Sequence, residues 1–192
     1  MNDLFPVFLK LKNRPVLVVG GGPMAALRVR QLLAAGAKVT VVAPEVDASL
    51  RVLAGTGLIE LHQRSFEHSD ITRDCFLVIG ATDDPVIQSE LAGEAERAGL
   101  LYNVVDAVEH CNFFTPSVVE RGDLKIAIST NGQSPVLARR LRQALESLLP
   151  ANIGDWVKEL GSLRTRLKIR IPSDLATRKR IIEEVIERTV QR

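Results

Sequence analysis

From Pro15 to Leu33 the chain reads PVLVVGGGPMAALRVRQLL, a β-branched run, three glycines and a helix-periodic stretch with no spacer between them. A strand that is apolar at every position is buried on both faces rather than one. A helix starting a few residues after such a strand leaves no room for a hairpin, so the chain must cross back over the sheet and re-enter parallel to itself. The same texture recurs along the first hundred residues. Strands read at 15–20, 37–43, 57–62, 75–81 and 100–105, and helices at 23–36, 46–55 and 84–99. Gly36 and Gly99 each follow a helical pattern and precede a strand, as residues that terminate helices do. The pattern predicts an α/β fold with a doubly wound parallel sheet.

Within the opening unit, Gly20, Gly22 and Ala25 match G-x-G-x-x-G/A between the first strand and the first helix, the context that makes this pattern informative and the sheet Rossmann-type. Gly20 permits the tight turn, Gly22 lets a pyrophosphate approach the backbone, and Ala25 keeps helix and strand close. Pro23 and Met24 complete the first helical turn, whose free amides and partial positive charge suit phosphate. Pro23 gives up only an N–H that has no intrahelical partner. Glu45, after Pro44, lies about 20 residues beyond the glycines, where an acid accepts from ribose hydroxyls. No arginine directly follows Val42, which favours NAD over NADP. Two plainer readings stand beside these: the glycines serve packing alone, and Glu45 caps a helix from 46. The loop GATDDP (80–85), with Thr82, leaves the fourth strand at its carboxyl end and borders the same cofactor. Asp83 and Asp84 read as N-caps before a proline-led helix rather than as metal ligands.

Beyond Asp106 the texture changes. FFTPSVVERGDLKIAIST reads as two strands about a turn at Arg121-Gly122-Asp123. A helix follows with Ser134 as N-cap, Pro135 at its first position and Val136, Leu137, Leu141, Ala144, Leu145 and Leu148 on one face. Pro150 ends it, and an amphipathic tail follows, broken at IPSD, where Ser173 is the expected cap. The expected organisation is a nucleotide-binding domain over 1–113, a hairpin-and-helix segment over 114–150 and a helical domain over 151–192.

The totals narrow the function classes. A net charge of +2 gives no overall attraction for nucleic acid, and the basic residues of 164–170 and 178–188 alternate with apolar or acidic ones. Two cysteines, Cys75 and Cys111, make no disulfide framework and fit a reducing cytoplasm. The start lacks a charged segment followed by a long apolar one, which predicts against secretion, and no apolar run approaches about 18 residues, which predicts no membrane helix. His110 and Cys111 are adjacent on an extended segment and point to opposite sides, so no stable metal site is expected there.

Asp106 closes the fifth strand, on the same edge as the glycine turn. From position alone it is equally a general base facing a nicotinamide or a turn-forming residue. Here the sequence resembles the precorrin-2 dehydrogenase family, the NAD-dependent domain of siroheme synthesis that occurs free-standing or fused to a methyltransferase. The matching blocks are FPVFLKLKNRPVLVVGGGPMA, LLAAGAKVTVVAPE, FLVIGATDD, YNVVDAVEHCNFFTPSVVERGDLKIAISTNGQSPVLARRLR and LESLLP, covering most of residues 5–150. The resemblance implies that Asp106 is the principal catalytic residue and that precorrin-2 is oxidised to sirohydrochlorin with NAD⁺ as hydride acceptor. It also implies a homodimer formed through the segment after residue 113. Some members insert Fe²⁺ to give siroheme, and the motifs are common to both forms, so Fe²⁺ stays open as a further substrate. One departure is Leu27-Arg28, where the family usually has Arg-Lys. A tetrapyrrole bearing many carboxylates calls for cations: Arg121, Lys125 and Arg139 lead, with Arg140 and Arg142 behind them. The competing reading is a module that senses NAD(H) without chemistry and needs no carboxylate at 106. A short-chain dehydrogenase is set aside, because the only tyrosine, Tyr102, has Asp106 rather than lysine four positions on.

Overall fold

The computed structural model describes residues 4–190. The first unit runs to Thr115 and the second begins at Pro116. In the first, β1 (Pro15–Val19), α1 (Pro23–Ala34), β2 (Lys38–Val42), α2 (Ala48–Gly55), β3 (Ile59–His62), β4 (Leu77–Gly80), α3 (Pro85–Arg97) and β5 (Leu101–Val104) follow in order. The strands form one parallel sheet in the order β3-β2-β1-β4-β5. The order reverses between β1 and β4, and crevices at such a reversal are where open α/β sheets bind ligands.

Alternation within β1 explains its unbroken apolar character. Val16 and Val18 join Ala25, Val29, Leu32 and Leu50 in the core beneath α1 and α2. Leu17 and Val19 join Val78, Leu91, Ala95 and Val104 in the core beneath α3. Each fully buried Val or Leu contributes about 1.5–3 kcal/mol, so the sheet is held from both sides. The helices stop where the sequence indicates: Gly36 and Gly99 hold φ +78° and +66° directly after the C-caps Ala35 and Ala98. Asp84 caps α3, accepting from the amides of Val86 and Ile87.

The second unit contains β6 (Ser117–Arg121), β7 (Leu124–Ile128), α4 (Pro135–Leu148), α5 (Ile153–Arg170) and α6 (Leu175–Val190). The strands pair antiparallel about Gly122-Asp123, with Gly122 at φ +57° as tight hairpins favour. Ser134 caps α4 through the Leu137 amide. The segments read from the sequence as 114–150 and 151–192 share this unit: a Cβ on Gly154 of α5 would lie 2.6 Å from the Arg121 carbonyl oxygen. The last cap differs from expectation. Asp174, not Ser173, accepts from the Thr177 amide, because α6 begins at Leu175 and its N-cap is therefore one residue later.

Candidate active site

The sheet register puts the site together. Val19 of β1 is level with Val42 of β2 and Gly80 of β4, and Gly80 is level with Val104 of β5. The loops after these four residues therefore leave the sheet in one row. With about 4.8 Å between strands, the exit of β5 lies about 10 Å from the exit of β1.

Gly20 makes the first turn at φ +125°, a conformation that penalises any side chain, and a Cβ there would lie 2.1 Å from the Ala81 carbonyl oxygen. A Cβ on Gly21 would lie 1.9 Å from the carbonyl oxygen of Glu45, and the Asp47 amide donates to the Gly21 carbonyl at 2.7 Å. The turn is thus wedged between the loops that carry Glu45 and Thr82. Gly22 differs: its φ is −78°, and a Cβ there would meet nothing within 4 Å. The first intrahelical bond of α1 runs from Ala26 to Gly22, which leaves the Met24 and Ala25 amides without a helical acceptor. No side chain caps α1 and no acid stands in its first turn. Open space, uncapped amides and the positive end of a twelve-residue helix are what an anionic group requires, so these residues fit the pyrophosphate of a dinucleotide.

Pro44 and Glu45 are exposed on the neighbouring loop. Glu45 does not cap α2: the helix starts at Ala48, and Asp47 accepts from the amide and hydroxyl of Ser49. Those bonds hold the Asp47 carboxyl below its usual range, while the Glu45 carboxylate faces solvent. Thr82 is half-buried; its hydroxyl accepts from the Asp84 amide and its carbonyl from the Gln88 side chain.

The β5 exit places Asp106 in a turn with its side chain unused by that turn. Asp106 holds φ +63°, a left-handed conformation that Asp tolerates better than most residues. A turn-forming Asp accepts a local amide bond. Asp106 does not: the turn is closed by backbone bonds from Val105 to Gly80, Ala107 to Val104 and His110 to Ala107. Its carboxylate is exposed and accepts no hydrogen bond from the described residues. Non-glycine residues held in this region cluster at functional sites.

What holds the loop is the rest of NVVDAVEHCNF. The buried Asn103 donates to Cys111 Sγ and to the Phe113 carbonyl. Cys111 Sγ also accepts from the Val104 amide, and its single S–H faces the carbonyls of Val104 and Ala107, both at 3.2 Å. Burial pushes this thiol's pKa up, as fits a clasp rather than a nucleophile. Asn112 seals the free edge of β5, accepting from Tyr102 and donating to Leu100. Asn103→Ala removes both side-chain bonds from a buried position and is expected to cost about 1–3 kcal/mol. The thermal midpoint falls and amides 104–112 exchange faster; unchanged exchange there would show the loop to be held by other means.

One cation near Asp106 is absent from the sequence reading. Burial lowers the pKa of Arg28, and the negative charge of Asp106 opposes that shift. In the sequence Arg28 stands out only as a departure from the family pattern, because linear spacing does not bring α1 and the β5 exit together. Arg121, Lys125 and Arg139 belong to the second unit. Lys125 pairs with Glu120 at 3.0 Å, Arg121 donates to the Glu120 carbonyl, and Arg139 is exposed. Among the described residues, no three His, Cys, Asp or Glu side chains gather as a metal cluster, and no helix is long and apolar enough to cross a membrane.

Residues 7–117 match a family described as NAD(P)-binding, and residues 121–148 match one described as sirohaem biosynthesis protein central. Similar curated proteins include the siroheme synthase of Photorhabdus laumondii, 43% identical over 89% of this chain and 36% of that protein. Siroheme synthase 1 of Serratia proteamaculans is 42% identical over 95% of this chain and 38% of its own length. The chain thus spans somewhat over a third of these relatives. Among solved structures, SirC, a precorrin-2 dehydrogenase, superposes with a TM-score of 0.77 at 29% identity, covering 95% of this chain and 89% of that one.

Proposed function

The chain belongs to the NAD(P)-binding family of siroheme biosynthesis proteins, and from that premise we propose that it is an NAD-dependent precorrin-2 dehydrogenase. The reaction converts precorrin-2 and NAD⁺ into sirohydrochlorin, NADH and a proton. The observation that carries it is the Asp106 carboxylate, exposed, without a hydrogen-bond partner among the described residues, and at φ +63° in the same row of loop exits as the glycine turn. An NAD(H) sensor has no use for such a group.

Bound NAD⁺ supplies the hydride acceptor. Gly20, Gly22, Pro23, Met24 and Ala25 hold its pyrophosphate, Pro44 and Glu45 border the adenosine ribose, and Thr82 lines the crossing between β1 and β4. Asp106 takes the proton that leaves the tetrapyrrole as the hydride departs.

The test supplies precorrin-2 and NAD⁺ without oxygen and follows NADH and sirohydrochlorin absorbance. Production of neither would defeat the assignment. A second arm supplies Fe²⁺ and sirohydrochlorin without NAD⁺; a rate above spontaneous metalation makes Fe²⁺ a further substrate.

The family likeness and the free thiols Cys75 and Cys111 support a reducing, cytoplasmic setting. A homodimer through the second unit is supported by α4, whose Val136, Leu137, Leu141 and Leu148 are exposed beside Arg139, Arg140 and Arg142. Replacing Leu137 and Leu141 together by Glu is expected to give a monomer in sedimentation velocity at micromolar concentration. A dimer that survives both changes would move the interface elsewhere.

A further inference from the structure

We propose that Arg28 is a substrate-anchoring residue whose guanidinium takes one carboxylate of the tetrapyrrole beside Asp106, a role that rests on the dehydrogenase reading above. Arg28 lies five residues beyond Pro23 on α1, roughly 7.5 Å along the axis from the amides that suit a pyrophosphate. Its Nη1 donates to Gln31 Oε1 at 3.1 Å. Its Nε is buried and has no acceptor among the described residues. A buried N–H without a partner is uncommon, because water is lost and nothing replaces it. An arginine with an unmet N–H is suited to an anion brought from outside the chain.

Asp106 is complementary to it. The two charges act on each other, yet the ion pairs of this unit among the described residues involve His62, Arg64, His68 and Arg97 instead. A carboxylate and a guanidinium that sense each other without touching leave a gap. A ligand with N–H and C–H groups at its centre and carboxylates on its rim closes that gap from both ends, and a reduced tetrapyrrole has that form. The other available anion, the dinucleotide's pyrophosphate, already has the uncapped end of α1.

Full-length Arg28→Met and Arg28→Lys test the assignment through three readings: KM and kcat for precorrin-2, sirohydrochlorin binding without NAD⁺ followed by absorbance, and NAD⁺ affinity by fluorescence. Arg28→Met is expected to raise the precorrin-2 KM and the sirohydrochlorin Kd about tenfold or more, since a charge-assisted bond is lost, with the loss falling on KM rather than kcat. NAD⁺ affinity stays as in the wild type, which also reports an intact fold. Arg28→Lys keeps the charge without the fork, recovers part of the loss, and serves as the test if the Met variant does not fold. An unchanged sirohydrochlorin Kd overturns the proposal. So does an NAD⁺ affinity that falls by the same factor, which would assign the anion to the dinucleotide or the side chain to the fold. If the wild type binds sirohydrochlorin in an Arg28-dependent way but never oxidises precorrin-2, the anchor stands and the dehydrogenase reading fails.

Discussion

Asp106→Asn is expected to bind NAD⁺ normally and to lose precorrin-2 oxidation by about 10²–10⁴-fold, the range that general-base removal produces. Asn is the sharper replacement because the backbone there is left-handed, φ +63°. Ala at such a position adds roughly 1–2 kcal/mol of strain, so Asp106→Ala mixes loss of the base with distortion of the turn. Asn tolerates that conformation at least as well as Asp and keeps the side chain's shape. Only the charge and the proton-accepting capacity disappear. Since the wild-type carboxylate accepts no hydrogen bond from the described residues, its loss leaves no orphaned donor in the loop, and the thermal midpoint should barely move. An Asn variant with most of its turnover would remove Asp106 from the chemistry and make the sensor reading the better one.

The three consecutive glycines are expected to part company under substitution. Gly20→Ala and Gly21→Ala place a methyl 2.1 Å and 1.9 Å from backbone oxygens of Ala81 and Glu45. Neither oxygen belongs to a flexible side chain, so the loops must separate, and both variants should lose much of their folded stability. Gly22→Leu adds its Cβ where nothing lies within 4 Å, at an ordinary φ of −78°. It should melt with the wild type, yet its side chain fills the space in front of the α1 amides, and NAD⁺ affinity should fall about a hundredfold or more, close to 2.7 kcal/mol. Titration calorimetry beside a thermal melt separates the two classes. Normal NAD⁺ binding by Gly22→Leu would show that the dinucleotide does not lie over this turn.

Much of this site is legible in the chain. Strand and helix periods, Gly36 and Gly99 after their helices, Asp84 before α3 and Ser134 before α4 are local matters, each governed by a few neighbouring backbone groups. The G-x-G-x-x-A turn is local in the same sense, because its reason is a tight bend and a helix end. Errors fall where two local candidates compete. Ser173 and Asp174 are both good caps, and only the register of α6 chooses between them. Glu45 and Asp47 compete likewise, and the start of α2 at Ala48 decides for Asp47.

By itself, the order of residues determined that the first hundred fold as parallel βαβ units with a glycine-lined phosphate turn, since burial on both strand faces and the absence of hairpin spacers admit little else. It determined that Asp106 follows the fifth strand, on the sheet edge that carries the glycine turn. Tertiary structure alone decided that Gly21 is wedged against Glu45, that Asn103 and Cys111 clasp the Asp106 loop, and that Arg28 answers the charge of Asp106. The physical reason is distance along the chain. Hydrogen-bonded turns and caps span a few residues and leave a mark in sequence, whereas close packing and Coulomb interaction act through space between residues tens of positions apart, and no linear spacing encodes them.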